Sequence, residues 1–162
     1  MVLYALNVLG ASPVEYGLFI SIQMVMSILS YFPAAKLAYI YSRKPFITLT
    51  FTFFALFPLA LVLMPDVVFL PLAFVIAGLR EIGEPARKAL IVDLAERGRK
   101  GRSIGLYYLI REGVMILAPL LGGFLWNLSH QIMFFTAFIV GILGVLIFIL
   151  AKIGEQSTLF IM

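Results

Sequence analysis

Long uncharged runs separated by short polar connectors dominate this sequence. Residues 16–35, 45–65 and 131–151 each hold about twenty consecutive uncharged residues, the length that a helix needs to cross the ~30 Å hydrocarbon core of a bilayer. Two further apolar segments, 67–88 and 103–128, carry charges within them. The pattern predicts an all-α fold, a polytopic transmembrane helical bundle with five full spans at about 16–38, 45–65, 67–88, 103–128 and 131–151.

The two ends of the chain are predicted to lie outside these spans. Residues 1–9, MVLYALNVL, are apolar but too short for a crossing, and they have neither the basic segment nor the cleavage site of a signal peptide. We interpret them as the remnant of a truncated first helix, which would be the sixth helix besides the five full spans. Residues 152–162 are expected to form a cytoplasmic tail, so that 1–162 is a single transmembrane domain.

The composition supports a membrane protein and excludes several kinds of site. The chain is 63% hydrophobic and only 12% charged, with a mean hydropathy of +1.10, whereas soluble domains are about 25% charged. Cysteine is absent and His130 is the single histidine, so we expect no metal and no cofactor. The spans contain no Ser–His pair and no paired aspartates, and we therefore expect the protein not to be an enzyme.

Basic residues lie in alternate connectors. Ten of the twelve fall on one side of the predicted membrane and none on the other. The positive-inside rule assigns this side to the cytoplasm, which predicts an integral protein of the cell membrane with a cytoplasmic C-terminus. The cluster RGRKGR (97–102) is expected to contact anionic membrane lipid. Nucleic acid is not an expected partner, because no aromatic residues alternate with these charges.

The other two basic residues, Arg80 and Arg111, lie inside spans. A charge at the bilayer centre costs ~2.5–3.5 kcal/mol on insertion scales, so such groups are expected to face the bundle interior and to pair. We predict pairs across helices: Arg80 with Glu112, and Arg111 with Glu81 or Glu84. Three acids against two bases leave one carboxylate as a candidate for proton exchange. The alternative is an ion network that only fixes helix packing.

Two segments resemble motifs of the major facilitator superfamily. AKLAYIYSRK (35–44) is similar to the loop between the second and third helices of that family, retaining Arg43 and Lys44 but carrying Tyr39 at the acidic position. LREIGEPARKALIVDL (79–94) resembles the fourth helix, with Arg80 at the position of its arginine. The loss of the acid at Tyr39 puts the usual gating salt bridge of the family in doubt.

A third segment completes the resemblance, which covers nearly the whole chain. APLLGG (118–123) is similar to the G-P-x-x-G-G signature of the fifth helix and retains a helix-packing motif of Pro119, Gly122 and Gly123. The resemblance implies a six-helix half of a transporter. The degenerate motifs and the short tail favour the C-terminal half.

The resemblance also implies a function. It predicts a permease that moves a small-molecule solute by alternating access, with the site at the midplane between two halves and with proton coupling as a further expectation. Arg43 and Lys44 would act in cytoplasmic gating, and the five charges of the spans would bind solute or protons. A second half would come from the same chain upstream, a partner subunit or a homodimer. The alternative is a non-transporting scaffold or degenerate remnant whose intramembrane charges are only structural.

Overall fold

The computed structural model describes residues 1–96 and 98–151, and within this part the chain is helical without strands. The all-α prediction is therefore confirmed. A short π-helical turn, Tyr4–Val8, and a 3₁₀ turn, Val67–Phe69, accompany seven α-helices. These are α1 (Pro13–Ile40), α2 (Arg43–Leu63), α3 (Leu70–Leu79), α4 (Glu84–Leu94), α5 (Lys100–Met115), α6 (Leu117–Leu128) and α7 (His130–Leu150). The predicted tail, 152–162, and Arg97 of the basic cluster lie outside the described residues.

Among the residues that the structure describes, four helical segments are long and apolar enough to cross a membrane: Pro13–Ile40, Arg43–Leu63, Lys100–Leu128 and His130–Leu150. The third of them combines α5 and α6, which meet at Ile116, a residue that keeps helical dihedral angles. Pro119 has no N–H to donate to the carbonyl of Met115, and this missing bond accounts for the boundary between the two helices.

The span predicted at 67–88 is divided in the structure. Helices α3 and α4 have 10 and 11 residues, and residues 80–83 between them form tight turns in place of regular α-helix. The Glu81 N–H donates to the Gly78 carbonyl and the Glu84 N–H to the Glu81 carbonyl, each across three residues. Gly83 is a poor helix former and Pro85 cannot donate to the carbonyl four residues before it, so the helix is interrupted here.

The helices pack around an aromatic centre. Helix α2 runs along α7, and α1 runs along α3. The Phe74 ring of α3 lies 5.4 Å from the ring of Phe19 in α1 and 6.2 Å from that of Phe57 in α2, measured between centroids. At the α2–α7 contact, a Cβ placed on Gly141 would lie only 2.7 Å from the Cβ of Ala55. Helices α2 and α7 therefore approach each other at backbone distance.

One end of the bundle is closed by aromatic residues. The Tyr4 ring lies 5.5 Å from the imidazole of His130 and 5.0 Å from the Phe134 ring, and Trp126 lies 6.0 Å from His130. The N-terminal turn thus packs against the start of α7. At the opposite end, the start of α2 lies beside the ends of α4 and α7.

Two glycines bring the interrupted segment against its neighbours. A Cβ on Gly78 would lie 2.5 Å from the Met26 Cβ of α1, and a Cβ on Gly83 would collide with the Phe46 carbonyl oxygen of α2. The neighbour at Gly83 is backbone, which cannot rotate away as a flexible side chain could. Glycine is therefore required at Gly83 for α4 to lie against α2.

We predict that Gly83→Ala destabilises the fold by about 1–3 kcal/mol, the usual cost of forcing atoms into a packed contact. The measurement is the free energy of unfolding in detergent micelles. Gly105→Ala is the matched control, since a Cβ at Gly105 would meet nothing within 4 Å. Equal stability of the two variants would contradict the close packing of α4 on α2.

Candidate functional site

The interruption between α3 and α4 is held by side chains of its two neighbours. The Gly83 N–H donates a hydrogen bond of 2.6 Å to the hydroxyl of Thr50, which is fully buried in α2. The Ser27 hydroxyl of α1 donates to the Gly78 carbonyl at 3.2 Å. An interrupted helix inside an apolar bundle needs such partners for its backbone groups. Sequence analysis missed Thr50, although the polar alternation TLTFT (48–52) within an apolar helix was a visible signal.

Arg80 lies in this interruption and stays inside the bundle. Its guanidinium carbon is 5.1 Å from the centre of the Phe54 ring and 5.5 Å from that of Phe57, both in α2. Its Nε lies 3.8 Å from Glu81 Oε1 and has no hydrogen-bond partner among the described residues. Aromatic faces and one acid therefore accommodate the charge.

Glu84 does not pair with Arg80, four residues before it, but with Arg87. The Arg87 Nη2 lies 2.6 Å from Glu84 Oε1, with side chains 14% and 12% exposed. Arg87 is one of the ten basic residues on the predicted cytoplasmic side, and the structure places it within α4, on the same helical face as Glu84. With Arg87 included, the spans hold three acids and three bases, so the charges balance and no carboxylate is left in excess.

The predicted exchange of charges across helices is wrong. Arg111 pairs with its neighbour in sequence, Glu112, at 3.0 Å, and both side chains are substantially exposed, at 32% and 58%. The reason is tertiary: α5 has few contacts with α4, and no residue of α5 or α6 is buried. The charges of α5 therefore do not reach Arg80 or Glu84.

The predicted packing motif in α6 has an open surface. A Cβ on Gly122 or on Gly123 would meet nothing within 4 Å, and Pro119 belongs to the same unburied helix. In the part of the chain that the structure describes, close helix contacts involve Gly78, Gly83 and Gly141 instead.

Arg43 and Lys44 connect helix ends on the basic side. Arg43 forms an ion pair with Asp93, near the end of α4. The Lys44 ammonium donates to the Ala151 carbonyl at the end of α7, at 2.9 Å. Tyr39, at the acidic position of the motif, is exposed, and the carboxylate that pairs with Arg43 belongs to Asp93.

No group of residues suited to a metal ion occurs within 1–96 and 98–151. Comparison with known proteins bears on the whole site. Residues 1–158 match the family model described as Major Facilitator Superfamily, a range that contains all seven helices and each charged pair above. A search of curated proteins gave no match.

We predict that Arg87→Met destabilises the fold by ~3 kcal/mol, because it leaves the Glu84 carboxylate buried without a counter-charge. Adding Glu84→Gln to this variant should restore most of the loss, and unfolding in detergent measures both. Lys88→Met is the control: it removes the same charge one residue further along, where the side chain is exposed. An equal loss in the single and double variants would argue against the pair.

Proposed function

The chain belongs to the Major Facilitator Superfamily, whose members are membrane transporters of small solutes, and we propose that it moves a solute by alternating access around the interruption at residues 80–83. The observation that carries the proposal is a charged, interrupted helix within an apolar bundle. Interrupted helices form the midplane sites of many transporters. Ionisable residues inside a membrane mark paths of solute or ions.

We propose Glu81 as the acid that exchanges a proton or a cation. Its nearest base is Arg80 Nε at 3.8 Å, beyond hydrogen-bond distance. The other two candidates, Glu84 and Glu112, are held by bases at 2.6 Å and 3.0 Å. Glu81 is therefore the carboxylate of the spans that is most available to an incoming charge.

We propose that the basic end acts as the cytoplasmic gate of a cell-membrane protein. The contacts of Arg43 and Lys44 tie the start of α2 to the ends of α4 and α7, so that these three helices move together at that end. The end of α7 lies at the same end, and the C-terminus that follows it would be cytoplasmic by the positive-inside rule.

We further propose that a second half covers surfaces that this bundle leaves open. Helices α5 and α6 contain no buried residue, and a groove of about 420 Å³ runs between α2, α4, α5 and α7. Apart from Arg87 and Ser103, apolar and aromatic side chains line this groove, including Phe51 and Phe148. Helices from upstream in the same chain, from a partner subunit or from a second copy would fit these surfaces.

A non-transporting scaffold is the second candidate. The observation that favours it is the balance of three acids and three bases, each paired with a neighbour within its own helical segment or turn. In a scaffold these pairs would only stabilise the bundle. Transport measurements separate the two functions.

We predict that vesicles reconstituted with the full chain take up at least one solute of a panel of organic cations, organic anions and sugars when a pH gradient is imposed. Glu81→Gln should lose this stimulation and fall to the level of protein-free vesicles. Glu15→Gln, at the outer end of α1, is the control and should keep it. If no solute enters with any variant, the scaffold function is favoured.

We predict that labelling of single cysteines will show the basic end of the bundle on the cytoplasmic side. The chain has no cysteine of its own, so each introduced cysteine is the one that reacts. A membrane-impermeant maleimide should label Ser129→Cys from outside intact cells. Ser42→Cys should react only in inverted vesicles. The opposite labelling would contradict a cytoplasmic basic end.

A further inference from the structure

A separate groove of about 430 Å³ lies on α1 beside the helix interruption. Its polar lining consists of Gln23, Ser27 and Glu81, and the rest of its surface is apolar or aromatic, including Tyr31 and Phe32. The groove thus joins the most available carboxylate of the spans to a hydrophobic wall on α1.

Three polar side chains of this groove offer acceptor oxygens, those of Gln23, Ser27 and Glu81. Gln23 is only 8% exposed, and its side-chain carbonyl oxygen has no hydrogen-bond partner among the described residues. The Ser27 hydroxyl already donates its proton to the Gly78 carbonyl, which leaves the oxygen free to accept. Glu81 supplies a carboxylate. A buried polar atom without a partner is costly, and a ligand that satisfies it gains that energy.

The base beside Glu81 does not line the groove. Arg80, the ion partner of Glu81, sits over the rings of Phe54 and Phe57 in α2 and is not part of the groove lining. Within the described residues that line it, Glu81 is the single charged group. The electrostatics of the groove therefore favour a positive ligand and oppose an anion.

We propose that this groove binds a hydrophobic organic cation, a quaternary or protonated centre surrounded by apolar groups. Glu81 and the Gln23 carbonyl oxygen would hold the positive charge. Tyr31 and Phe32 would offer ring faces, which attract cations, and the apolar wall would cover the body of the ligand. The inference rests on the proposed function, since it names the class of solute for the same Glu81.

The test compares two probes of nearly equal shape and opposite charge, tetraphenylphosphonium and tetraphenylborate. Binding of each to the full chain in lipid nanodiscs is measured by equilibrium dialysis, and binding to empty nanodiscs is subtracted. We expect binding of the phosphonium by the wild type and none of the borate. Glu81→Gln should weaken phosphonium binding at least about tenfold, and Gln23→Met about threefold.

Glu15→Gln is the matched control, because it neutralises a carboxylate of α1 that lies outside the groove, and it should bind as the wild type does. Circular dichroism and gel filtration establish the fold of each variant. Should Gln23→Met fail to fold, Glu81→Gln and the charge selectivity of the wild type still decide the question. Equal binding of both probes, or full phosphonium affinity in Glu81→Gln, overturns the proposal.

Transport of the phosphonium into vesicles separates this inference from the proposed function. Binding without uptake would leave the cation groove in place and refute transport of this solute class. Uptake of another solute, without any phosphonium binding, would support transport and overturn the groove.

Discussion

Backbone polar groups inside an apolar bundle need hydrogen-bond partners, and the interruption of the helix between α3 and α4 depends on that requirement. Its backbone is satisfied by hydroxyl groups of α1 and α2, Ser27 and Thr50. Those bonds form only because Gly78 and Gly83 allow the segment to approach both helices at backbone distance. The position of the charges and of the groove beside them follows from this contact.

The charges of the spans are stabilised locally. Each acid finds its base one or three residues away, as in Arg80–Glu81 and Glu84–Arg87. Such pairs form within one helical segment or turn, so no ion pair between α5 and α4 is needed to balance these charges. Contacts between helices instead come from aromatic rings and glycines, which hold α1, α2, α3 and α7 together.

The helical fold could be predicted from the sequence because long uncharged runs have few alternatives to membrane helices. The break at residues 80–83 was missed, since the apolar run before it outweighed the local signals of Gly83 and Pro85. The predicted partners of Arg111 were wrong for another reason: the spacing of residues along a chain does not show which helices contact each other. The pair of Arg87 with Glu84 was missed because Arg87 begins a basic stretch and was counted with it.

Some sequence interpretations stay predictions. These are the assignment to a C-terminal half, the origin of residues 1–9 in a longer helix and the roles of the charged residues in solute movement. Thr50 and Asp93 show the opposite case, residues whose importance arises only when α4 lies beside the start of α2. The Thr50 hydrogen bond and the Asp93 ion pair both join segments that are far apart along the chain.

The contact of Gly141 with Ala55 leaves α2 and α7 no clearance to rotate past one another. We expect α2 and α7 to form one rigid pair of helices across the membrane. The α5–α6 segment contacts this helix pair mainly through α6, and it joins α7 at Ser129. Bending would then concentrate at Ser129 and at Ile116. The α5–α6 segment could change its orientation while α2 and α7 keep theirs.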